Sequence, residues 1–149
     1  MESIIYHGNN VEVAEPRILQ NGCYKDFGYG FYCNKNEKQA KRWALTRTGK
    51  SVVNRYSYSE NTDLKRMAFP KMNDEWLDFV ADCRNGILHD YDIVEGPMAD
   101  DQIRNFVEDL FEERFTRAAF WEIVKCNHPT HQIVFLHRES LENHTFRRM

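Results

Sequence analysis

Residues 26–43, DFGYGFYCNKNEKQAKRW, combine a glycine pair, a group of aromatic residues and a helix start. Gly28 and Gly30 are separated by a single residue, so the backbone there can adopt φ > 0 and approach a ligand closely, because no Cβ stands in the way. Phe31 and Tyr32 follow at once and open a predicted strand. The stretch therefore predicts a tight loop that leads into a strand and then into a helix.

The predicted helix begins close to Asn34, because Glu37 three residues later completes the pattern of a capping box. Tyr32 on the strand and Trp43 on the helix are expected to converge as two walls of a slot for a flat ring, since aromatic faces stack well on planar heterocycles. Aromatic residues also dominate protein cores, so packing of both side chains is the alternative. Taken alone, the stretch favours packing.

Length and composition indicate one soluble domain over residues 1–149. The formal net charge of -3 argues against a protein held on nucleic acid by bulk charge alone. Cys23, Cys33, Cys83 and Cys126 are scattered without a C-x-x-C pair, and no basic-then-apolar signal segment opens the chain. We therefore expect a cytoplasmic protein. No apolar run approaches the roughly 18 residues of a membrane span, so no membrane association is expected.

The rest of the chain predicts a mixed α+β fold with no internal repeat. Residues 61–72 are predicted to be loop, residues 139–143 a single turn, and the residues after them a polar tail. Predicted strands cover 3–7, 51–59, 91–94 and 131–136, and predicted helices start at 73 or 74, at 100 or 101 and at 115.

Charge is unevenly distributed along the chain. Residues 35–55 are strongly basic, whereas residues 90–113 are acidic with only Arg104 opposing. Such runs are usually solvated faces, but the basic one follows the glycine loop directly. Its cations could meet a pyrophosphate or another anionic substrate there.

Other kinds of site receive little support from the sequence. Cys126, His128 and His131 lie close together, but no fourth ligand with paired spacing accompanies them, so no metal site is predicted. Nothing local marks one cysteine as an activated nucleophile. Neither G-x-G-x-x-G nor a G-K-[ST] ending accompanies the glycine pair, so a nucleotide-binding fold of that kind is not indicated.

Three blocks in order resemble the NAD-binding blocks of ADP-ribosyltransferases of the diphtheria-toxin and poly(ADP-ribose) polymerase type. They are Tyr6-His7-Gly8, the run 26–32, and Gln39-Ala40 with Trp43-Ala44. The chain also resembles a bacterial family of domains of unknown function with this transferase-like signature, through the segments 91–94, 96–97 and 132–133. The resemblance implies an α+β fold with an ADP-ribosyltransferase-like split β-sheet core and flanking helices, and it overrides the packing interpretation of the aromatic pair.

The resemblance also implies a role for each matching residue. His7 would hold a ribose hydroxyl of NAD, Gly8 would offer its backbone to the nicotinamide carboxamide, and Tyr32 would stack on the nicotinamide ring. Trp43 would form the second aromatic wall. Gln132 stands where these enzymes usually carry a catalytic glutamate, so it keeps an acceptor but loses the charge that favours the developing cation.

The predicted function is therefore NAD-dependent transfer of a single ADP-ribose unit to an intracellular protein or nucleic acid, with NAD as substrate. Small bacterial transferases of this resemblance are often toxins or defence effectors, which implies an antitoxin or regulatory protein as a further partner. A catalytically weak or inactive NAD- or ADP-ribose-binding module is the alternative, since Gln132 replaces the glutamate. A structural adaptor whose motifs are core features is a third interpretation.

Overall fold

The computed structural model describes residues 2–9, 26–45, 49–59, 64–99, 101–125, 130–137, 141 and 146–148. Cys23, Cys126, His128 and all of the predicted turn at 139–143 except Leu141 lie outside these ranges. Within them the chain forms β1 (Glu2–Asn9), β2 (Phe31–Cys33), α1 (Glu37–Leu45), β3 (Val52–Ser59), β4 (Arg66–Ala68), α2 (Asp74–Arg84), β5 (Ile93–Pro97), α3 (Asp101–Phe111), α4 (Arg117–Val124), β6 (His131–Phe135) and β7 (Phe146–Arg148).

The strands form two small sheets, and the predicted α+β class is confirmed. One sheet has the order β1-β3-β7, and the other has the order β2-β6-β5-β4, in which only β4 and β5 run parallel. An antiparallel bridge between Tyr6 and Asn34 connects β1 to the end of β2, with both N–H···O distances at 2.8 Å. The two sheets are thus joined where β2 ends and the chain turns toward α1.

Side-chain alternation along β2, β5 and β6 divides the core in two. Phe31, Ile93 and Phe135 pack with Ile5 and other residues of the β1 sheet. The intervening positions face the helices, and on that side the second cluster includes Val94, Val134, Trp76, Ile103 and Phe120. Both faces of the four-stranded sheet are therefore covered.

The helix boundaries follow local signals with one correction. α2 begins as predicted, because the side chain of Asn73 accepts a hydrogen bond from Trp76 N at 2.8 Å. The predicted start of α1 at Asn34 was wrong by two residues: Asn36 Oδ1 accepts from Lys38 N and Gln39 N, whereas the backbone of Asn34 is occupied by the bridge to β1.

Two short strands lie where the sequence predicted none. Arg66–Ala68 of the predicted loop pairs with β5, and Phe146–Arg148 of the predicted polar tail pairs with β3. β5 also begins later than predicted and runs through Gly96 and Pro97. Strands of three residues owe their formation to the partner strand rather than to their own propensity, so their sequence pattern is weak.

Candidate functional site

The strands β1 and β2 meet only briefly, and the predicted site lies at their junction. Within the described residues the Tyr6–Asn34 bridge is the only pairing between this part of β1 and the β2 segment. Tyr6 directs its N–H and C=O to Asn34, so antiparallel alternation directs those of Gly8 to the same edge of β1, away from β3. Tyr6, Gly8 and Tyr32 also share one side of the joined sheets, because bridged residues point to the same face.

His7 is held between the two strands. Its Nδ1 donates a hydrogen bond to the carbonyl oxygen of Tyr32 at 2.7 Å, and its ring stacks on Phe31 with centroids 4.2 Å apart. A carbonyl can only accept, so Nδ1 carries the proton and Nε2 is the acceptor nitrogen of the neutral ring. The imidazole therefore has a fixed tautomer and a fixed orientation.

α1 lies directly against β1 at Gly8. A Cβ built at Gly8 would lie 2.1 Å from the carbonyl oxygen of Ala40 and 3.0 Å from the amide nitrogen of Ala44, so the helix backbone takes the place of a side chain. Ala40 and Ala44 form the buried face of α1. Trp43 lies on the next ridge of the helix and is 45% exposed. The structure thus places Trp43, half exposed, on the helix that lies against Gly8.

Tyr32 is more deeply packed than a ligand-stacking ring needs to be. Its hydroxyl donates to Gly28 O at 2.8 Å and accepts from Phe27 N at 3.0 Å. The ring also packs against the helix-side core, and burial is the main cause that raises the pKa of its hydroxyl above the usual range. Tyr32 therefore fixes the turn that precedes its own strand.

Gly28 and Gly30 require glycine for different structural reasons. Gly28 has φ +94°, as the sequence predicted, and an added Cβ there would lie 3.8 Å from Nε2 of His89. Gly30 does not have a positive φ. A Cβ at Gly30 would lie 2.6 Å from Val134 Cγ1 and 2.9 Å from Phe135 O, so this glycine admits β6 rather than a ligand. The positive φ expected at both glycines is therefore present at Gly28 and absent at Gly30.

Gln132 lies on β6, on the same side of the sheet as Tyr32. Its cross-strand neighbour is Gly96, and the β2–β6 register extended by one residue places it beside Asn34. Its side-chain oxygen is buried and has no hydrogen-bond partner among the described residues. A buried acceptor without a partner costs free energy, and such atoms are rare in native structures. Among the described residues no hydrogen bond connects Gln132 to His7, whereas Tyr32 is bonded to His7 directly.

Sequence reasoning missed the residues that fix the loop. Asp26 is 1% exposed; Arg84 Nε donates to its Oδ1 at 2.8 Å, and Ala99 N donates to its Oδ2 at 2.7 Å. Burial raises the pKa of Asp26, and the Arg84 guanidinium and the Ala99 amide oppose that rise. His89 adds a second support, because its Nε2 donates to Phe27 O at 2.9 Å. The signal available in the sequence was an aspartate at the start of the glycine loop. Its partners, Arg84 and Ala99, are far away in the sequence.

The comparisons with known proteins identify one family. Residues 3–146 match the model of the family described as Protein of unknown function (DUF3990). The chain belongs to this family. No curated protein and no solved structure matches it.

Two further observations concern this DUF3990 member. In the described part of the chain, no three His, Cys, Asp or Glu side chains come together in a way that could hold a metal ion. Over the same residues, no helix has the length and apolar content needed to cross a membrane.

Proposed function

We propose that this DUF3990 member is an NAD-dependent mono-ADP-ribosyltransferase with an ADP-ribosyltransferase-like split β-sheet core. The observation that carries the proposal is the parting of β1 from β2 at His7 and Gly8, with α1 lying directly on Gly8. An extended edge beside a helix suits a planar carboxamide, since backbone N–H and C=O groups can pair with both of its polar atoms.

The proposed roles follow from the contacts at this junction. His7 accepts a hydrogen bond from a ribose hydroxyl of NAD through Nε2, because Nδ1 is engaged by the Tyr32 carbonyl. Gly8 binds the nicotinamide carboxamide through its backbone. Trp43, half exposed on α1, supplies the aromatic face against the ring. Tyr32 forms the opposite wall and keeps the Phe27–Gly28 turn in place.

Gln132 orients the nicotinamide ribose and does not act as a base, because an amide takes no proton near neutral pH. The buried side-chain oxygen of Gln132 has no partner in the part of the chain that the structure describes, which supports a role as a hydrogen-bond acceptor. After a rotation of the amide, this oxygen accepts a hydrogen bond from a substrate hydroxyl. We expect Gln132→Ala to lower transfer markedly and Gln132→Glu to preserve or raise it. A Gln132→Ala protein with full activity would exclude this role.

A second candidate function is a module that binds NAD or ADP-ribose without chemistry. The uncharged side chain at position 132 and its buried oxygen favour it, since neither stabilises a developing cation strongly. The two functions share the binding site and differ in turnover, so one experiment separates them.

The experiment uses NAD labelled in its adenylate part, the full-length protein and a whole-cell lysate. Wild type should bind NAD and transfer label to a macromolecule. Trp43→Ala should weaken NAD binding about fivefold or more, as loss of a stacking face typically costs about 1 kcal/mol or more. Trp121→Ala is the matched control, because Trp121 lies on α4 and donates its indole N–H to Asp74 Oδ1 at 2.8 Å.

The outcomes distinguish the candidates. Binding of NAD without transfer of label would support the binding module over the transferase. Absence of NAD binding at millimolar concentration would contradict both functions. Equal losses of binding in Trp43→Ala and Trp121→Ala would also contradict both. Trp43→Ala replaces Tyr32→Ala as the diagnostic variant, because the Tyr32 hydroxyl also holds the Phe27–Gly28 turn of the proposed site in place.

The acceptor is proposed to be an intracellular macromolecule, either protein or nucleic acid, and uncontrolled activity is proposed to be harmful to a bacterial host. Exposed Lys38, Lys41 and Arg42 on α1 support an anionic acceptor, while the net charge of -3 opposes tight nonspecific binding to nucleic acid. Expression of wild type and Trp43→Ala as soluble proteins tests the toxicity. Equal growth of the two cultures would contradict a toxin held in check by an antitoxin.

A further inference from the structure

A groove of about 270 Å³ runs between α2 and α3, and no residue assigned to NAD lines it. Its floor contains Leu77 and Val107, both buried in the core. Ala81 and Leu110 form its walls, and Phe111 stands at its side with 51% of its surface exposed. The groove therefore combines apolar side chains with one large exposed ring.

The rim of this groove is acidic. Asp78 and Asp82 lie one helical turn apart on α2, both exposed and both lining the groove. Arg117 also lines the groove and donates to Asp78 Oδ1 at 2.7 Å, whereas Asp82 makes no ion pair with any residue that the structure describes and is the uncompensated acid of the rim. Exposed Glu75 and Glu108 on the same two helices add to the negative field.

The shape of the groove favours a helix over a metabolite or an extended peptide. Pockets that enclose small molecules are about 300–1,000 Å³, so this one is at or below the lower limit. Its sides are helices, whose interior backbone groups are already hydrogen-bonded to one another. An extended chain placed there would leave its own N–H and C=O groups without backbone partners, whereas a helix satisfies them internally.

A second copy of this chain is a poor occupant. α1 is the basic helix of the described residues, with Lys38, Lys41 and Arg42 exposed. Its apolar residues Ala40 and Ala44 are already buried, and the helix lies directly on Gly8 of β1. Its exposed apolar side chains, Trp43 and Leu45, are two residues apart, so they do not form a stripe along one face that could enter the groove.

We propose that the α2–α3 groove is the docking site for a basic amphipathic helix of a partner protein. Apolar side chains of that helix, one turn apart, lie between Ala81 and Phe111, and its flanking Lys or Arg side chains meet Asp82 and Asp78. A helix in this position adds a third member to the α2–α3 pair and covers the exposed face of Phe111. The inference does not depend on NAD binding or on transfer.

The test uses two labelled synthetic helices and fluorescence anisotropy with the full chain. One helix carries leucines along a single stripe with Lys and Arg beside it, and the other has Glu in place of every Lys and Arg. We expect the basic helix to bind in the micromolar range, and more weakly as salt rises. The acidic helix should not bind.

Matched substitutions locate the binding. Asp82→Lys and Phe111→Ser should each weaken it about tenfold or more, as removal of a central contact does. Asp90→Lys and Leu88→Ser change exposed residues that do not line the groove, and they should leave binding unchanged. Circular dichroism confirms that each variant is folded.

Three results would overturn the proposal: no binding of the basic helix up to about 1 mM, equal binding of the acidic helix, or undiminished binding to Asp82→Lys. A wild-type dimer that Phe111→Ser dissociates would also overturn it, because it assigns the groove to a second copy. None of these results bears on NAD binding, which the Trp43 variant measures separately.

Discussion

Replacing Gly8 with alanine tests how closely α1 lies on β1. The new Cβ would stand 2.1 Å from Ala40 O and 3.0 Å from Ala44 N. Both atoms belong to the helix backbone, so no change of rotamer relieves the overlap. α1 has to retreat by about 1 Å before the shorter distance reaches the 3.0–3.4 Å of tight contacts.

Overpacking in a core costs about 1–3 kcal/mol, and we expect about 3 kcal/mol here because a whole helix has to move. That loss raises the unfolding equilibrium constant about a hundredfold. For a domain of this size it lowers Tm by roughly 6–12 °C. The shift of α1 also carries Trp43 away from the β1 edge, so Gly8→Ala should weaken NAD binding even where the protein is folded.

Urea unfolding followed by far-UV circular dichroism measures the change in the free energy of unfolding. Gly49→Ala is the control: nothing lies within 4 Å of its added Cβ, and φ of +91° gives it the strain of a left-handed residue alone, about 1–2 kcal/mol. If Gly8→Ala is no less stable than Gly49→Ala, the close approach of α1 to β1 does not exist in the protein.

Three further changes have defined outcomes. Tyr32→Phe should cost about 1–3 kcal/mol in urea unfolding, because the turn loses the hydroxyl that satisfies a buried N–H and C=O; an unchanged midpoint would contradict the hydrogen bonds. Asp26→Asn should cost about 3–5 kcal/mol because it leaves the Arg84 guanidinium mostly buried beside a neutral amide, and a second change, Arg84→Met, should recover part of the loss if the charge is the cause. Burial raises the pKa of Cys83 to about 12, whereas thiols of the unfolded chain have a pKa of about 8.5. Between these two pH values the unfolded state binds fewer protons than the folded state. The free energy of unfolding should therefore fall between about pH 8.5 and 12. Cys83→Ala should make that fall less steep, and an identical slope in the variant would rule Cys83 out as a source.

Local chemistry was sufficient to predict much of the fold. The Asn73 cap and the apolar stripe of α3 depend on residues within one or two turns, and both are present in the structure. The prediction placed the start of α1 at Asn34 and overlooked Asn36, which is an equally good cap residue. The backbone of Asn34 pairs with Tyr6, so the helix begins after Asn36 instead. This pairing depends on a strand that is distant in the sequence.

The residues of the candidate site also differ in whether local sequence is enough to explain them. His7, Gly8 and Tyr32 were selected from their motifs; in the structure a hydrogen bond joins His7 to Tyr32, and Gly8 lies against α1. The reason for Gly30 could not be foreseen, since the atoms it accommodates belong to β6. Asp26 likewise reads as a surface turn residue until Arg84 and the Ala99 amide are brought to it by the fold.

The anchoring of Asp26 also determines when the site can exist during synthesis. Its two partners follow 58 and 73 residues later, and β2 pairs with β6 near the end of the chain. A nascent chain that has exposed only its first helix therefore carries every motif of the loop but cannot bury the Asp26 carboxylate. Because domains emerge from the ribosome in order, at about 5–20 residues per second, the loop takes its final shape only after β6 has emerged. An incomplete chain released before that point would present the glycine loop without the fold that shapes it.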